Sequence, residues 1–198
     1  MVSNAAEIPW QEPRPTDNEI IALVRDGDID AFAILVDCYY QQVARHLAYR
    51  CSDPDLAADL TQETFAEAFR DLDRFEGTGS FAAWLYAVAH NRLRMHWRRQ
   101  RIRRIVSLDW LMGSDAVTPA GLQEPDGSTQ CHERVIVSRV LADLAPSLRE
   151  ALLLHSLDGF TAPEIATILG ISRSAAERRV SRAKAQFREL YRDQHHDT

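Results

Sequence analysis

Apolar residues recur at helical spacing along most of this chain. From Asp17 onward, Ile20, Ile21, Leu23 and Val24 are followed by Phe32, Leu35 and Val36, in steps that keep them on helix faces. Gly27, inside Asp26–Asp30, interrupts a first helix, and Asp30 can cap a second that turns Val43 and Leu47 inward and runs to about Arg50. Ser52-Asp53-Pro54 predicts a turn and a new helix start, after which Leu56, Leu60, Ala68 and Phe69 form one stripe. Gly77-Thr78-Gly79-Ser80 predicts a loop, with Ser80 capping a long helix through Phe81, Leu85 and Val88 to about Arg104. The period then stops. Between Ser107 and Thr129 stand three Gly, two Pro and no Lys or Arg, the composition of a linker. It returns near Arg134 with Val137, Val140, Leu141 and Leu144, then Leu148, Leu152 and Leu153. No segment alternates as a strand would, and no unit repeats at a fixed period. The expected fold is all-α: two small helical domains joined by an irregular acidic linker. The expected divisions are a leader 1–16, a domain 17–106, a linker 107–133, a domain 134–192 and a tail 193–198.

The sharpest local signal lies in the second half. In Thr161-Ala162-Pro163-Glu164-Ile165-Ala166-Thr167-Ile168-Leu169-Gly170-Ile171-Ser172, Thr161 and Glu164 have capping-box spacing and Pro163 suits a first helical turn. Ile165, Ala166 and Leu169 share an inward face, Gly170 suits a left-handed helix end, and Ser172 can cap the next helix. This predicts a helix-turn-helix, whose second helix enters a DNA major groove. On that helix Ala176, Val180, Ala183, Phe187 and Leu190 face the core, which leaves Arg173, Ser174, Glu177, Arg178, Ser181 and Arg182 outward. Arginine can bridge guanine edges or bind phosphate, and Glu177 can accept from a cytosine amino group. A charged face without a capped turn before it would be read as merely solvated; here capping, glycine and small inward residues agree.

Charge is the next constraint. The net charge is −6, at first sight wrong for a DNA-binding protein. Its distribution changes the picture. Residues 1–76 carry 6 basic and 16 acidic side chains, whereas residues 77–106 carry 7 basic and none acidic. Residues 107–133 carry 5 acidic and none basic, and residues 134–198 carry 10 basic and 8 acidic. Blocks of opposite sign imply separate surfaces for separate partners. The basic block closes a helix that begins with Phe81, Trp84, Leu85, Tyr86 and Val88. Rings beside arginines suit a separated DNA strand, with bases stacked and phosphates neutralised. The same rings at helical spacing also suit a core, and for most of them the core reading is preferred. The seven arginines from Arg92 to Arg104 point to phosphate contact, and Asn91 can both donate and accept hydrogen bonds.

Taken together, these segments resemble bacterial RNA polymerase sigma factors. Asp59-Leu60-Thr61-Gln62-Glu63-Thr64-Phe65-Ala66-Glu67-Ala68-Phe69 is similar to their polymerase-binding segment. Phe81-x-x-Trp84-Leu85-Tyr86-x-Val88-Ala89-x-Asn91 is similar to their promoter-melting segment. Leu144-Ala145-Pro146-x-x-Arg149-Glu150-Ala151-Leu152-Leu153-Leu154 and the helix-turn-helix are similar to their C-terminal domain. With only these two domains, the chain resembles the extracytoplasmic-function (ECF) subgroup over about residues 17–104 and 134–192.

The resemblance implies a non-enzymatic factor that brings core RNA polymerase to promoter DNA and helps melt it. Asp59, Gln62, Glu63 and Phe65 match the surface that docks on a coiled coil of the largest polymerase subunit. The loop from Phe75 through Gly77 to Ser80 matches the one that receives a base flipped from the minus-ten element; trapping an unstacked base favours the open duplex. Trp84, Asn91, Arg92, Arg94 and Arg98 join that minus-ten surface. Arg173, Ser174, Glu177, Arg178 and Arg182 match the reader of the minus-thirty-five element. The linker would thread toward the polymerase cleft, and an anti-sigma factor is a further possible partner. Met95, Ala175 and Glu177 depart from common family residues, which bears on the promoter sequence read rather than on the architecture.

Other classes fit less well. A response regulator needs a receiver domain with alternating strands. A helix-turn-helix regulator that does not engage polymerase as a sigma factor is the main rival, but it needs neither the Asp59–Phe69 surface nor the basic aromatic helix. Cys131-His132 and His195-His196 are weak zinc candidates with no ligand-bearing fold between them, so neither metal nor cofactor is expected. Cys38, Cys51 and Cys131 are odd in number and widely spaced, unlike a disulfide framework. No apolar run approaches a membrane span and the first residues lack the layout of a secretory signal, so the expected compartment is the cytoplasm.

Overall fold

The computed structural model describes residues 15–51, 53–106 and 129–196. Most of the expected leader and most of the expected linker lie outside the described residues. Those described contain helices and no strand.

Four helices form the first unit. α1 (Asp17–Arg25) starts with a capping box in which the Glu19 carboxylate accepts from both the Thr16 N–H and its hydroxyl. A short 3-10 turn (Ile29–Ala31) leads into α2 (Phe32–Ala48). α3 (Pro54–Arg70) is capped by Asp53, whose carboxylate accepts from the Asp55 and Leu56 N–H groups, with Pro54 opening the helix. A second 3-10 turn (Leu72–Arg74) and a loop precede α4 (Phe81–Val106), 26 residues long. Ile20, Ile21, Leu35, Val43, Leu47, Leu60, Phe81, Leu85 and Tyr86 make the buried centre of this unit. Leu23 and Phe69 of the expected apolar stripes are instead 46% and 38% exposed. Thr61 and Thr64 are fully buried on α3, where each hydroxyl donates to the carbonyl four residues back and so needs no other partner.

Four more helices form the second unit: α5 (Thr129–Asp143), α6 (Pro146–Ser156), α7 (Ala162–Leu169) and α8 (Arg173–His196). α8 packs along α6, α7 and α5. Leu144, Leu148, Leu152 and Ala183 form a small cluster covered by Leu141, Phe187 and Leu190.

The two units are not separate beads. α7 lies against α4, and a single apolar cluster runs from the first unit through Phe160, Ile165, Ile168 and Leu169 into the second.

Candidate nucleic-acid interface

The helix-turn-helix forms as its sequence dictates. Glu164 accepts from the Thr161 N–H at 2.8 Å and from its hydroxyl at 2.6 Å. Gly170 ends α7 in the left-handed conformation (φ 62°), which returns the chain toward α8. The Ser172 hydroxyl accepts from the Ala175 N–H at 3.3 Å and so starts α8. Ala176 and Ala183 have no exposure and Val180 little, which seats α8 with the side bearing Arg173, Ser174, Glu177, Arg178 and Arg182 outward; all five are exposed. Arg173 is held by Glu177 one turn on, at 2.9 Å. The remaining exposed arginines have the reach and charge for phosphate or guanine.

The first unit presents a second surface. Gly77 and Gly79 carry positive φ of 72° and 110°, so the loop that leads to α4 adopts a path that glycine permits. Arg25 anchors the base of this loop by donating to the Leu72 and Phe75 carbonyls. Ser80 then caps α4 by accepting from the Ala83 N–H at 3.3 Å. Asn91, Arg94 and Arg98 are exposed along the basic half of α4, and Trp84 is half-buried.

Three expected site residues sit differently from a simple surface contact. Phe75 is 4% exposed and forms an aromatic group with Phe81 and Trp84, at ring separations of 5.6 Å each. The Phe75 ring thus packs against other rings at the base of the loop rather than standing free on its surface. Phe65, expected on the polymerase-docking face, is 7% exposed and stacks on Tyr40 at 5.9 Å. It faces inward because the 3.6-residue period puts it beside Thr61 and Ala68, while Asp59, Gln62 and Glu63 face out. Arg92 is not free for phosphate: it pairs with Glu67 and, at 3.3 Å, with Glu63. The acidic face of α3 and the basic face of α4 are thus joined at Arg92.

Sequence reasoning missed a buried polar seam between the units. His46 of α2 lies 2.8 Å from Asp158, and the two side chains are 2% and 1% exposed. The Tyr86 hydroxyl donates to the other Asp158 oxygen at 3.3 Å. Arg50 pairs with Glu150 of α6, and His90 of α4 lies 2.8 Å from the same carboxylate. Burial outweighs the attraction of Asp158 and holds the His46 imidazole below its ordinary value. Burial, with help from Arg50 and Arg94, brings His90 down to about 4, so both rings are neutral at pH 7. The Arg50 guanidinium falls to about 10, also through burial, and stays charged. His46 and Asp158 are 112 residues apart in sequence, Arg50 and Glu150 are 100 apart, and Tyr86 and Asp158 are 72 apart. No local pattern links them. Beside the seam is a cavity of about 430 Å³ lined by residues that include Arg50, His90, Arg94, Trp97, Glu150 and Arg179.

Two family models fit the chain, one for each unit. Sigma-70 region 2 matches residues 35–103, and Sigma-70 region 4 matches residues 134–187. The chain is 31% identical to the RNA polymerase sigma factor CnrH of Cupriavidus metallidurans over 186 residues, 90% of this chain and 95% of CnrH. It belongs to the ECF sigma factors. The ECF RNA polymerase sigma-E factor of Escherichia coli is 32% identical over 174 residues, 85% of this chain and 91% of that protein. Two solved structures are similar. One is CnrH in complex with the cytosolic domain of CnrY, with a TM-score of 0.60, 26% identity and coverage of 88% of this chain and 96% of that one. The other is the sigma factor RpoE with the anti-sigma factor NepR from Bartonella quintana, with a TM-score of 0.64, 25% identity and coverage of 81% and 96%.

This sigma factor therefore binds core RNA polymerase, directs it to promoters and is not an enzyme. The rival reading, a regulator that ignores polymerase, falls with the region 2 match over the first unit. Among the described residues, no helix is long and apolar enough to cross a membrane.

Proposed function

We propose that Asp59, Gln62 and Glu63 on α3 form the docking face for core polymerase, with Phe65 holding that face from within. The loop carrying Gly77 and Ser80, together with Trp84, Asn91, Arg94 and Arg98, holds the melted minus-ten element. Arg173, Ser174, Glu177, Arg178 and Arg182 read the minus-thirty-five element. Residues 17–106 and 134–192 act as the two functional domains, joined by 107–133. The protein works in the cytoplasm, where its polymerase is. An anti-sigma protein is its regulator, by analogy with the CnrY and NepR complexes of the similar structures.

The observation that carries this reading is Arg92. It bridges to Glu63 and Glu67, so the proposed polymerase face and the proposed DNA face share one ion-pair group. Replacing Arg94 and Arg98 with Ala removes two exposed cations without disturbing that group. Lost charge-assisted contacts are each worth about 1.5–3 kcal/mol, so open-complex formation on duplex promoter is expected to fall roughly a hundredfold or more. Activity should recover on a template mismatched across the minus-ten element, which avoids the melting cost. Permanganate footprinting and run-off transcription compare the two templates. Equal melting by variant and parent would remove α4 from the minus-ten role. Reversing Asp59 and Glu63 to Lys should weaken core binding in a titration; unchanged affinity would move the docking face elsewhere.

A further inference from the structure

We propose that the cavity beside the seam is a binding site for a small anionic ligand with a flat ring, of the chemical class of a nucleoside polyphosphate. The inference goes beyond the promoter reading and does not depend on it: it needs only the residues that line the cavity.

Charge gives the first argument. The lining carries four guanidinium groups, of Arg50, Arg94, Arg149 and Arg179, against one carboxylate, that of Glu150. They come from the end of α2 and from α4, α6 and α8, so the tertiary fold gathers this charge rather than one basic run. Glu150 is already paired with Arg50. Arg94 and Arg179 make no ion pair or hydrogen bond among the described residues. Arg149 donates from one terminal nitrogen to the Ala142 and Leu144 carbonyls, at 2.7 and 3.2 Å. Its Nε is buried with no hydrogen-bond partner among the described residues. A buried donor left unpaired costs free energy, and burial also holds this guanidinium below its ordinary value. An anion in the cavity would offset both. His90, neutral at pH 7, adds no charge of its own. A concave site lined by one sign of charge focuses its field and draws in the other.

Shape gives the second. At about 430 Å³ the cavity suits a small molecule rather than a bare ion. Beside the arginines its wall is apolar, with Leu93, Trp97, Leu153 and Ile171. Inorganic phosphate would meet the cations and leave that wall wet. A ligand that joins a ring to a chain of phosphates meets both. The ring stacks on Trp97, and the guanidinium forks of Arg94 and Arg179 span the phosphates. Trp97 is only partly buried and still has surface to give. Four cations against one carboxylate leave an excess of three positive charges, which suits two or three linked phosphates better than one.

Equilibrium dialysis of the full-length protein against guanosine diphosphate tests this, with the base serving only as a probe. Binding should saturate at one nucleotide per protein. Pyrophosphate alone and guanosine alone should each compete at least about tenfold less well, because each satisfies only one side of the site. Arg179→Gln should weaken binding at least about tenfold, the loss of a charge-assisted contact. Trp97→Leu should weaken it about fivefold or more, the loss of a stacked ring. Arg99→Gln removes an exposed cation of α4 that does not line the cavity, and should leave binding unchanged. Far-UV circular dichroism checks helix content. Arg179→Lys keeps the charge without the fork, should bind between parent and glutamine variant, and serves if the glutamine variant fails to fold. No saturable binding up to about 1 mM would overturn the proposal. Equal weakening by Arg99→Gln and Arg179→Gln would reduce it to general attraction by a basic surface. Pyrophosphate bound as tightly as the nucleotide would overturn the place given to the ring. A glutamate-rich peptide bound more tightly than the nucleotide would give the cavity to a protein partner instead. Unimpaired melting by the Arg94/Arg98 variant would sink the promoter reading and leave this site standing.

Discussion

α4 and α8 are the two long helices of this sigma factor, 26 and 24 residues, and both are rich in arginine. They present that charge in opposite ways. The arginines of α4 follow an aromatic, deeply buried first half, and the first of them, Arg92, is tied across to α3. On α8 the described ion pair is internal, Arg173 to Glu177, and the buried face is made of small residues such as Ala176 and Ala183. One surface is held from outside its helix, the other from within it. On the proposed docking, a polymerase seated on α3 would act directly on the ion-pair group of α4, whereas the proposed reading residues of α8 have no described ion pair outside their own helix. On that reading, melting, which needs work done on DNA, lies where the polymerase would drive it, and readout lies where substitution is cheap.

The sharpest way to break this contrast is to remove the support beneath the α4 loop. Phe75 is 4% exposed and closes an aromatic group with Phe81 and Trp84. Phe75→Ala is expected to cost about 3–5 kcal/mol through lost burial and a cavity. Chemical denaturation followed by circular dichroism would measure it. The loss should appear in open-complex formation as well, since the chain from Phe75 to Ser80 would no longer be seated. A cost below about 1 kcal/mol would mean that the loop holds its path without the ring.

How much of this was legible in the sequence depends on how local the cause is. The capping box at Thr161–Glu164, the left-handed Gly170 and the Ser172 cap act over three or four residues, and each is where its pattern predicts. The outward set on α8 follows from the positions of Ala176, Val180 and Ala183 on the same helical period. Phe65 and Phe75 were harder. A family segment marks them as part of a surface, yet side-chain direction depends on phase within the helix and on neighbours such as Tyr40 and Phe81. The Arg92 bridge joins residues 25 and 29 positions apart, and the seam joins residues 100 and 112 apart. Nothing in periodicity or composition selects His46 for Asp158; that choice belongs to the tertiary fold.

The recognition helix offers the next test. Glu177 is half exposed and restrains Arg173, so on the proposed reading it both faces the bases and sets the freedom of its neighbour. Glu177→Lys removes an acceptor and releases Arg173. Base preference at one position of the minus-thirty-five element should shift by about 1–3 kcal/mol, with little effect elsewhere. Selection from a randomised element, before and after the swap, would show it. An identical profile would make Glu177 a spacer that only orients Arg173.

The smallest expected effect lies at the turn itself, and it separates backbone cause from packing cause. Gly170 has φ 62°, and a Cβ added there would meet nothing within 4 Å. Gly170→Ala therefore creates no clash with neighbours. Its whole cost is that of holding an L side chain in the left-handed region, about 1–2 kcal/mol. Gly170→Asn should cost less, because a short polar side chain tolerates that conformation. The ranking Gly, then Asn, then Ala in thermal unfolding of the second unit is the expected outcome. Promoter preference should stay unchanged in all three, since Arg173, Glu177 and Arg178 keep their positions on α8. If Ala proved as stable as Gly, the turn would be held by the packing of Ile171 and Leu169 rather than by glycine's freedom. A change in base preference would show instead that the turn angle sets how α8 enters the groove. The independence claimed for α8 would then fail at its N-terminal end.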